Sequence, residues 1–415
     1  MSSVPPASSD ATAVDVAIVG GGMVGASLAA GLAGSGMRIL LTEAVAFGAS
    51  GQPSFDERST ALGNASRRIF EGLGVWREMA PEAAPIRAIH ISDAGGFGCA
   101  RLSAAEQGIE ALGYVLPNRR IGAALWGHLT RAPGLSLRVP GRVEDIAIDA
   151  SGVRFNVVSN AGHEAVTARL IVAADGAHSE VRTAAGIEAG VEDYEQVAVI
   201  ANVESDTPHE SIAYERFTRS GPLAVLPLAD ATLSVIWACH RADAQRVLAL
   251  DDAAWLGELQ SRFGWRAGRF VRAGRRASYP LKLTRALSPV ATRTVLIGNA
   301  AQALHPVAGQ GFNLGLRDAA MLAEVLTGSA GDAGDAALLE RFAAWRARDR
   351  SGVTRFTDGL VRLFGDQRPG MGLLRNLGLL LFDLSPPAKT ALARVSLGFG
   401  GPTPRLARGL PVRHA

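Results

Sequence analysis

Residues 14–25 read Val14-Asp15-Val16-Ala17-Ile18-Val19-Gly20-Gly21-Gly22-Met23-Val24-Gly25, and the architecture of the chain begins with them. The apolar run that ends at Val19 is typical of a buried parallel strand. The glycines after it match the pattern G-x-G-x-x-G. This pattern allows a tight turn and brings the backbone close to a pyrophosphate at the N-terminus of the next helix. The small residues of 26–33 predict that helix.

An acidic residue completes this motif. Residues 38–42 predict a second strand, and Glu43 follows it directly, 23 residues after Gly20. This spacing is close to that of the acid that binds a ribose hydroxyl in dinucleotide-binding folds. Because strand, helix, second strand and acid occur in order, the pattern indicates dinucleotide binding rather than a chance glycine turn.

The same region has a competing interpretation as a membrane segment. Residues 16–37 carry no charge over 22 positions, which is long enough to span a bilayer. They include seven glycines, which fit poorly with a stable isolated helix, and no Lys or Arg precedes Arg38 as the basic flank of a signal peptide. We therefore interpret the segment as a buried β-α unit and residues 1–13 as a polar, disordered leader.

A second informative segment spans residues 298–318 and reads GNAAQALHPVAGQGFNLGLRD. A strand-like run at 293–297 precedes it, and helix-forming residues at 319–326 follow. Gly309 and Gly311 let backbone N–H groups approach a flat or anionic ligand. A loop with a purely structural role rarely combines His-Pro, Gly-Gln-Gly and Asn, so the segment is predicted to line a ligand site.

Two further elements fit a flavin better than a nicotinamide: Asp56-Glu57-Arg58-Ser59-Thr60-Ala61-Leu62, and the strand-like run 170–174 that ends in Asp175-Gly176. With these motifs, nearly the whole chain resembles the class A flavoprotein monooxygenases, which have the p-hydroxybenzoate hydroxylase fold. It is most similar to the hydroxylases of ubiquinone biosynthesis. The closer resemblance rests on residues 196–203, 215–218, 221–224, 263–266 and 279–281.

The resemblance implies an α/β fold with a Rossmann-like FAD-binding domain, an inserted mixed β-sheet substrate domain and a C-terminal helical region. At 415 residues the chain exceeds one ordinary core, which agrees with two intertwined domains. Alternating strand patterns and Gly/Pro breaks predict the boundaries. These are 14–85, 105–185 and 281–340 for the FAD-binding domain, 86–104 and 186–280 for the substrate domain, and 341–415 for the helical region.

The resemblance also implies roles for matching positions. Asn299 stands where the wider superfamily has Asp, and its amide can still hydrogen-bond a ribityl hydroxyl without carrying a charge. Arg216, Pro227 and His240 are predicted to face the substrate. The predicted cofactor-binding residues are Gly20, Gly22, Gly25, Glu43, Arg58, Arg119, Asp175, Asn299, Pro306, Gly309, Gln310, Gly311, Phe312 and Asn313.

The implied chemistry is carried by FAD, so no side chain is predicted to be catalytic. In the family, NAD(P)H reduces FAD, and a C4a-hydroperoxide formed with O2 hydroxylates an electron-rich phenol. The closer resemblance implies a polyprenyl-methoxyphenol hydroxylated at ring carbon C1. A second G-x-G-x-x-G is absent, which agrees with transient binding of the reductant.

Three alternatives stay open at this stage. The first is hydroxylation of another carbon of the same ring, because such relatives share every cofactor motif. The second is an FAD-dependent reductase or halogenase, although the halogenase element Trp-x-Trp-x-Ile-Pro is absent. The third is a non-catalytic FAD-bound subunit that organises other quinone-biosynthesis enzymes.

The cysteine and histidine content points away from metal sites and disulfides. Cys99 and Cys239 are far apart, and the eight histidines form no ligand pattern, so no metal is predicted. The protein is expected in a reducing cytoplasm, either free or peripheral to the inner membrane.

Charge is distributed unevenly along the chain. From Arg341 onward there are 13 Arg and Lys against four Asp, a tail of about +9 within a net charge of +3. The tail carries no known nucleic-acid-binding motif, so nucleic acid is not an expected partner. Its leucine-rich stretch around 373–382 is too short to cross a membrane. It is predicted to be either a helical cap or oligomer contact, or a surface that meets anionic lipid or partner enzymes.

Overall fold

The computed structural model describes residues 11–49, 58–305, 307–366 and 368–412. Its strands are β1 (Thr12–Val19), β2 (Ile39–Thr42), β3 (Ser59–Gly63), β4 (Ala84–Ile86), β5 (Ala88–Asp93), β6 (Cys99–Ser103), β7 (Gly113–Pro117), β8 (Leu135–Arg138), β9 (Gly141–Ile148), β10 (Val153–Ser159), β11 (Gly162–Ala173), β12 (Ala189–Ser205), β13 (Ile212–Thr218), β14 (Gly221–Pro227), β15 (Leu233–His240), β16 (Phe270–Ala273), β17 (Ala277–Ala286), β18 (Val290–Ala291), β19 (Thr294–Leu296) and β20 (Gln302–Ala303).

The α-helices of the same residues are α1 (Met23–Leu32), α2 (Asn64–Gly72), α3 (Trp76–Met79), α4 (Asn118–Leu129), α5 (Glu180–Ala184), α6 (Arg241–Ala249), α7 (Asp252–Phe263), α8 (Gln310–Thr327), α9 (Ala336–Gly365), α10 (Met371–Asp383) and α11 (Pro386–Ser396). Within the described residues, none of these helices combines the length and the apolar character that a bilayer-spanning helix requires.

Eight strands form a sheet in the order β18-β19-β11-β1-β2-β8, with β10 and β9 attached beside β11. Strands β19, β11, β1 and β2 are parallel to their neighbours in this series. Their carboxyl ends therefore meet at one edge, which is where ligands bind in open α/β sheets. The segments that follow these strands bring Gly20, Glu43, Asp175 and Asn299 to this edge.

Nine strands form a second, mixed sheet in the order β20-β17-β12-β15-β14-β13-β5-β6, with β16 beside β12. Its pairs are antiparallel except for β13 and β5. Alternate residues of each strand point to opposite faces. One face packs against α6 and α7 and buries Trp237, Trp255 and Phe263, and the other faces a cavity. Strand β17 crosses the predicted boundary at 280, and the domain division remains a prediction.

The C-terminal helices are attached to both sheets. Helix α9 packs on α8 and begins at Ala336, five residues before the predicted boundary. Helix α10 covers the edge strand β6, because Gly98 N–H donates to Asn376 Oδ1 at 2.6 Å and Arg101 N–H donates to Asp383 Oδ1 at 2.8 Å. These contacts satisfy edge groups that would otherwise be open to pairing with another strand.

One local expectation is wrong. The predicted leader includes Thr12, but Thr12 already belongs to β1 and pairs with Val166 of β11. Its hydroxyl donates to Glu164 Oε1 at 2.7 Å. The neighbouring strand β11 extends far enough to continue the parallel ladder, and this extension is not visible in the local sequence. Residues 1–10 lie outside the described part of the chain.

Candidate active site

A cavity of about 1580 Å³ lies between the two large sheets and the C-terminal helices. At one end it is bounded by the turn between β1 and α1, by Glu43 and by the turn after β11. At the other end its walls are apolar side chains of β5, β13, β14, α9, α10 and α11. One continuous space thus joins the predicted dinucleotide motif to the second sheet.

The glycines of the β1-α1 turn have different reasons for lacking a side chain. Gly20 has φ +104°, and a Cβ there would lie 2.4 Å from Ala174 O. A Cβ on Gly25 would lie 1.9 Å from Gly20 O, so both positions exclude a side chain within the protein itself. Gly22 instead has φ −60° and ψ 174°, which any residue can adopt, and it lines the cavity at the N-terminus of α1.

Glu43 fastens the glycine turn to the end of β2. Its Oε2 accepts a hydrogen bond from Gly21 N–H at 2.8 Å, and its Oε1 accepts one from Val45 N–H at 2.9 Å. Each carboxylate oxygen can accept a further bond. Because Glu43 also lines the cavity, its carboxylate can hold the turn and still receive a ligand hydroxyl.

Asp175 follows β11 at the same edge. Its Oδ2 accepts bonds from Glu180 N–H at 2.9 Å and Val181 N–H at 3.3 Å. Its Oδ1 is buried and has no hydrogen-bond partner among the described residues. Burial raises the pKa of Asp175, and hydrogen bonds from Ser179 and Val181 oppose the rise. Since a buried acceptor without a partner is costly, this oxygen fits a cavity ligand that donates a hydroxyl.

The loop into α8 forms the middle of the cavity wall. Asn299, Gly309, Gln310, Gly311 and Phe312 all line the cavity. Gly309 has φ +60°, a left-handed conformation that favours glycine. A Cβ on Gly311 would meet nothing within 4 Å, so the protein itself leaves space at that position. The predicted cofactor residue Pro306 lies outside the described residues.

Asn313 has a structural role in addition to lining the cavity. Its Oδ1 accepts bonds from Gly63 N–H at 2.8 Å and Ser66 Oγ at 2.6 Å. Its Nδ2 donates to Ala61 O at 2.8 Å and Gly309 O at 2.7 Å. The side-chain amide has all of its hydrogen-bonding capacity in use. Asn313 therefore fixes the loop against β3 and α2.

The two predicted arginines occupy different places. Arg58 lines the cavity, with its guanidinium 4.6 Å from the centre of the Tyr279 ring. Arg119 is 52% exposed, pairs with Glu82 at 3.6 Å and is not among the residues that line the cavity. Its neighbour Asn118, at the start of α4, lines the cavity instead. Successive side chains of an α-helix point about 100° apart around the helix axis, so Asn118 and Arg119 point in different directions.

The structure does not bring the three predicted substrate residues to the cavity. Arg216 points to the opposite face of β13, where Nε donates to Arg262 O at 2.9 Å. Pro227 lies on the corresponding face of β14, and His240 is exposed at the end of β15. Side chains alternate between the two faces of a strand, so the adjacent Glu215 and Leu226 line the cavity instead. Contact of Arg216, Pro227 and His240 with the substrate stays a prediction.

The C-terminal helices contribute a wall of the cavity that was not predicted from the sequence. Their leucine and phenylalanine positions predicted a cap or a surface, but not a cavity wall. The helical spacing of these apolar residues was the available signal. The cavity-lining side chains from these helices are Phe356, Leu360, Leu363, Phe364, Leu374, Arg375, Leu379, Phe382, Leu392, Ala393, Ser396 and, at the end of α11, Leu397.

A buried ionic cluster holds the turn that carries Asn299. Arg346 of α9 donates from Nε to Asp318 Oδ1 of α8 at 2.8 Å, and both side chains are fully buried. Asp318 Oδ2 accepts from Gly298 N–H at 3.4 Å, and Arg350 donates to Leu296 O at 3.3 Å. The cluster thus connects the C-terminal helices to the end of β19 and the cavity edge.

Comparison with known proteins identifies the family. Residues 13–357 match the family model described as FAD binding domain. The chain is 36% identical over 405 residues to the ubiquinone hydroxylase UbiL of Rhodospirillum rubrum, covering 96% of this chain and 93% of that protein.

The chain belongs to the ubiquinone hydroxylase family of class A flavoprotein monooxygenases. Another member, the 3-demethoxyubiquinol 3-hydroxylase of Escherichia coli, is 33% identical over 92% of this chain and 98% of its own length. In fold, the chain is similar to the crystal structure of p-nitrophenol 4-monooxygenase PnpA from Pseudomonas putida, with a TM-score of 0.78, 20% identity and coverage of 94% and 99%. The predicted fold class, the family and the cofactor FAD are confirmed. The glycine turn, the helix N-terminus and the Asp175 acceptor fit FAD.

The first prediction for this flavoprotein concerns Glu43. Glu43→Ala removes the hydrogen bonds that the carboxylate accepts from Gly21 N–H of the turn and from Val45 N–H. Loss of a charge-assisted hydrogen bond costs about 1.5–3 kcal/mol, so we expect FAD to bind about 10- to 100-fold more weakly. The dissociation constant is measured by flavin fluorescence as FAD is added to the apoprotein. The control is Glu71→Ala, which removes the exposed partner of Arg67. Equal FAD affinity of the wild type, Glu43→Ala and Glu71→Ala would contradict the assignment of Glu43 to the cofactor site.

Proposed function

We propose that this flavoprotein hydroxylates the ring of a polyprenyl phenol in ubiquinone biosynthesis, with NAD(P)H and O2 as co-substrates. One observation carries the proposal. The cavity is continuous from the dinucleotide-type turn to an apolar chamber whose walls include three C-terminal helices. A substrate whose ring carries a long apolar chain needs a site with two ends. One end is polar and binds the cofactor, and the other is an apolar channel that accommodates the chain.

In this proposal the residues at the sheet edge hold FAD. The α1 N-terminus with Gly22 would receive the pyrophosphate, Glu43 a ribose hydroxyl, and Asp175 and Asn299 the polar groups nearer the ring. The loop 307–313 would border the isoalloxazine. When bound, FAD supplies the activation of O2 with electrons from NAD(P)H. The protein side chains orient the phenol and exclude water from the chamber.

Two ring positions are candidates for hydroxylation. The closer motif resemblance favours carbon C1 of a 2-polyprenyl-6-methoxyphenol. The Escherichia coli relative, named as a 3-demethoxyubiquinol 3-hydroxylase, supports a different carbon of the same ring. Mass spectrometry of quinones from cells that lack this protein separates the two. Accumulation of the methoxyphenol indicates C1, accumulation of the demethoxy compound indicates the other carbon, and an unchanged quinone profile would contradict the proposal.

The chain of the substrate is proposed to leave the cavity beside α10 and enter a membrane. Leu363 and Leu374 line the cavity and are 44% and 62% exposed, so the cavity reaches the surface there. Phe97, in the β5-β6 turn that binds Asn376 of α10, is 65% exposed. The leucine face of α10 consists of the exposed residues Leu373, Leu374, Leu377, Leu380, Leu381 and the adjacent Leu384. An apolar helix face of this kind suits the interface of a lipid bilayer.

A double substitution on the leucine face tests this contact. Leu373 and Leu381 are 58% and 68% exposed and do not line the cavity, so Leu373→Glu with Leu381→Glu should leave the folded core intact. Removing two leucines from lipid costs about 1.5–3 kcal/mol each. We expect binding to phospholipid vesicles to weaken more than about 100-fold, with slower turnover of a long-chain phenol in vesicles and unchanged turnover of a short-chain phenol.

The matched control is Leu287→Glu, which introduces the same charge at a 74% exposed leucine outside the cavity lining. Substitution is preferable to truncation because α10 and α11 form part of the cavity wall. Equal loss of turnover on both substrates would indicate damage to the cavity, and wild-type behaviour on both would contradict a lipid contact at this face.

A further inference from the structure

Three hydrogen bonds in series connect the turn between β13 and β14 to the loop that is proposed to border the isoalloxazine. Gln196 of β12 donates from Nε2 to Ser220 O at 3.2 Å, and its Oε1 lies 3.2 Å from His305 Nε2. His305 Nδ1 accepts from Val307 N–H at 3.1 Å. Neither Gln196 nor His305 is among the described residues that line the cavity, so both lie behind its wall.

The two ends of this series determine the direction of every hydrogen bond in it. Ser220 O can only accept, so the Gln196 amide turns its NH2 group toward Ser220 and its Oε1 toward His305. Val307 N–H can only donate, so His305 Nδ1 carries no proton. A neutral imidazole then carries its proton on Nε2, which donates to Gln196 Oε1. Both ends therefore require the same tautomer of His305.

Burial keeps His305 in its neutral form. The side chain is 1% exposed, and burial lowers the pKa of His305 to about 4. The Tyr194 ring packs against the imidazole in a T-shaped arrangement with the ring centres 5.2 Å apart, and the Tyr194 hydroxyl donates to Asp358 of α9 at 3.4 Å. A protonated imidazole would direct Nδ1–H at Val307 N–H, so only the neutral form can bind the loop.

The backbone of β12 is irregular where it carries Gln196. The register of β12 against β17 shifts between Asp193 and Gln196. Glu195, within this shift, has φ +54°, a left-handed conformation that is uncommon for a residue other than glycine. The residues on either side of it, Tyr194 and Gln196, both contact His305. Bulges redirect side chains and are frequent beside active sites, which agrees with a role for these contacts.

Apolar contacts connect the same parts of the molecule but cannot replace the hydrogen bond. Phe217 of β13, Val307 and Phe364 of α9 form one cluster, and the two phenylalanine rings stack with their centres 3.7 Å apart. Val307 begins the turn that leads through Gly309 into α8. Hydrophobic contact is non-directional, whereas a hydrogen bond depends on angle. The bond from Val307 N–H to His305 is therefore the contact that orients the backbone at the start of the loop.

We propose that Gln196 and His305 are positioning residues for the bound flavin. Gln196 selects the tautomer of His305, and His305 holds the backbone of Val307, so that the loop 307–313 keeps one position beside the ring. The inference rests on the proposed function, in which this loop borders the isoalloxazine. When the loop shifts, water reaches the site. The two electrons of NAD(P)H then leave with O2 and two protons as hydrogen peroxide, and the phenol is not hydroxylated.

The first test measures the tautomer of His305 in the FAD-loaded, oxidised protein. The ¹⁵N chemical shifts of the imidazole distinguish Nδ1–H from Nε2–H, and the spectrum of His305→Asn identifies the His305 signals. In the wild type we expect only Nε2–H between pH 6 and 9. In Gln196→Met, which removes the acceptor at nearly constant side-chain length, we expect both tautomers. Gln245→Met, the same change at an exposed glutamine of α6, is the matched control and should resemble the wild type.

The second test measures hydrogen peroxide released per NAD(P)H oxidised, with 2-geranyl-6-methoxyphenol and with the corresponding demethoxyquinol. Loss of one neutral hydrogen bond shifts a conformational equilibrium about fivefold. We therefore expect about fivefold more peroxide from Gln196→Met and from His305→Leu, with a shifted flavin absorbance spectrum and an unchanged KM for the phenol. His305→Asn should restore part of the coupling, because an Asn side chain can accept a backbone N–H two residues along the chain. Gln245→Met should release no more peroxide than the wild type.

A double variant distinguishes positioning through His305 from general damage. If Gln196 acts through His305, Gln196→Met with His305→Leu should release no more peroxide than His305→Leu alone. If His305→Leu does not retain FAD, His305→Asn takes its place in this comparison. Additive effects, wild-type coupling in Gln196→Met, or an Nδ1–H tautomer in the wild type would each overturn the inference. Failure of the proposed function is seen separately, in a wild-type enzyme that binds FAD and hydroxylates neither phenol.

Discussion

Gly22→Val is expected to give a folded, colourless protein. The backbone of Gly22 is extended, with φ −60° and ψ 174°, so valine can occupy the position without conformational strain. In the proposed site its side chain would fill the space where the α1 N-terminus approaches the pyrophosphate. We expect FAD affinity to fall at least about 100-fold, or about 2.7 kcal/mol. The measurement is the flavin absorbance of purified protein, followed by titration of the apoprotein with FAD.

Valine substitutions at two other glycines serve as controls for Gly22→Val. Gly190→Val on β12 makes the same chemical change where a Cβ meets nothing within 4 Å, so it should stay yellow. Gly25→Val would place a Cβ 1.9 Å from Gly20 O, so it should disrupt the turn and the fold together. A Gly22→Val protein with wild-type FAD affinity would show that the pyrophosphate lies elsewhere.

Arg346→Met should cause a large loss of stability. The guanidinium of Arg346 is fully buried and bonds Asp318 at 2.8 Å and Asp349 at 2.5 Å. Methionine retains much of the apolar part of the Arg346 side chain. It removes the positive charge and the hydrogen bonds that compensate the buried carboxylates of Asp318 and Asp349. Breaking one side of a buried ion pair costs about 3–5 kcal/mol. We expect that loss in the free energy of unfolding by urea, measured on apoproteins so that FAD binding does not add to the difference.

Arg348→Met on the same helix is the matched control, because Arg348 is exposed, and it should change stability little. The Arg346 variant should also bind FAD more weakly, since Asp318 accepts a bond from Gly298 N–H beside Asn299. Equal stability of the two variants would show that Arg317 and Arg350 alone compensate the negative charges of Asp318 and Asp349.

The same cluster predicts a pH effect. Burial opposes ionisation of Asp349, but Arg317 and Arg346 outweigh burial and hold its pKa below the ordinary value. Such a group stabilises the fold above its unfolded pKa of about 3.9 and loses that contribution as the pH falls through the folded-state value. Arg346→Met should therefore reduce the loss of stability between pH 7 and acid conditions.

Local sequence patterns were sufficient to predict the residues at the sheet edge where FAD is proposed to bind. The run from Val14 to Gly25 carries its own strand, turn and helix signals, and Glu43 follows at the expected spacing. Parallel strands then bring their carboxyl ends together whatever the rest of the chain does. For this reason Gly20, Gly22, Glu43 and Asp175 could be predicted to meet, and they lie around one cavity.

The substrate side depended on tertiary structure. Glu215 and Arg216 are adjacent in sequence and equally polar, and only the pairing of β13 with β5 and β14 decides which of them faces the cavity. Likewise, the leucines of the tail predict a helix, but the contacts of Asn376 with Gly98 and of Arg346 with Asp318 determine that these helices close the chamber. Motifs within a few residues are fixed by backbone geometry, whereas strand faces and helix docking depend on partners tens to hundreds of positions away.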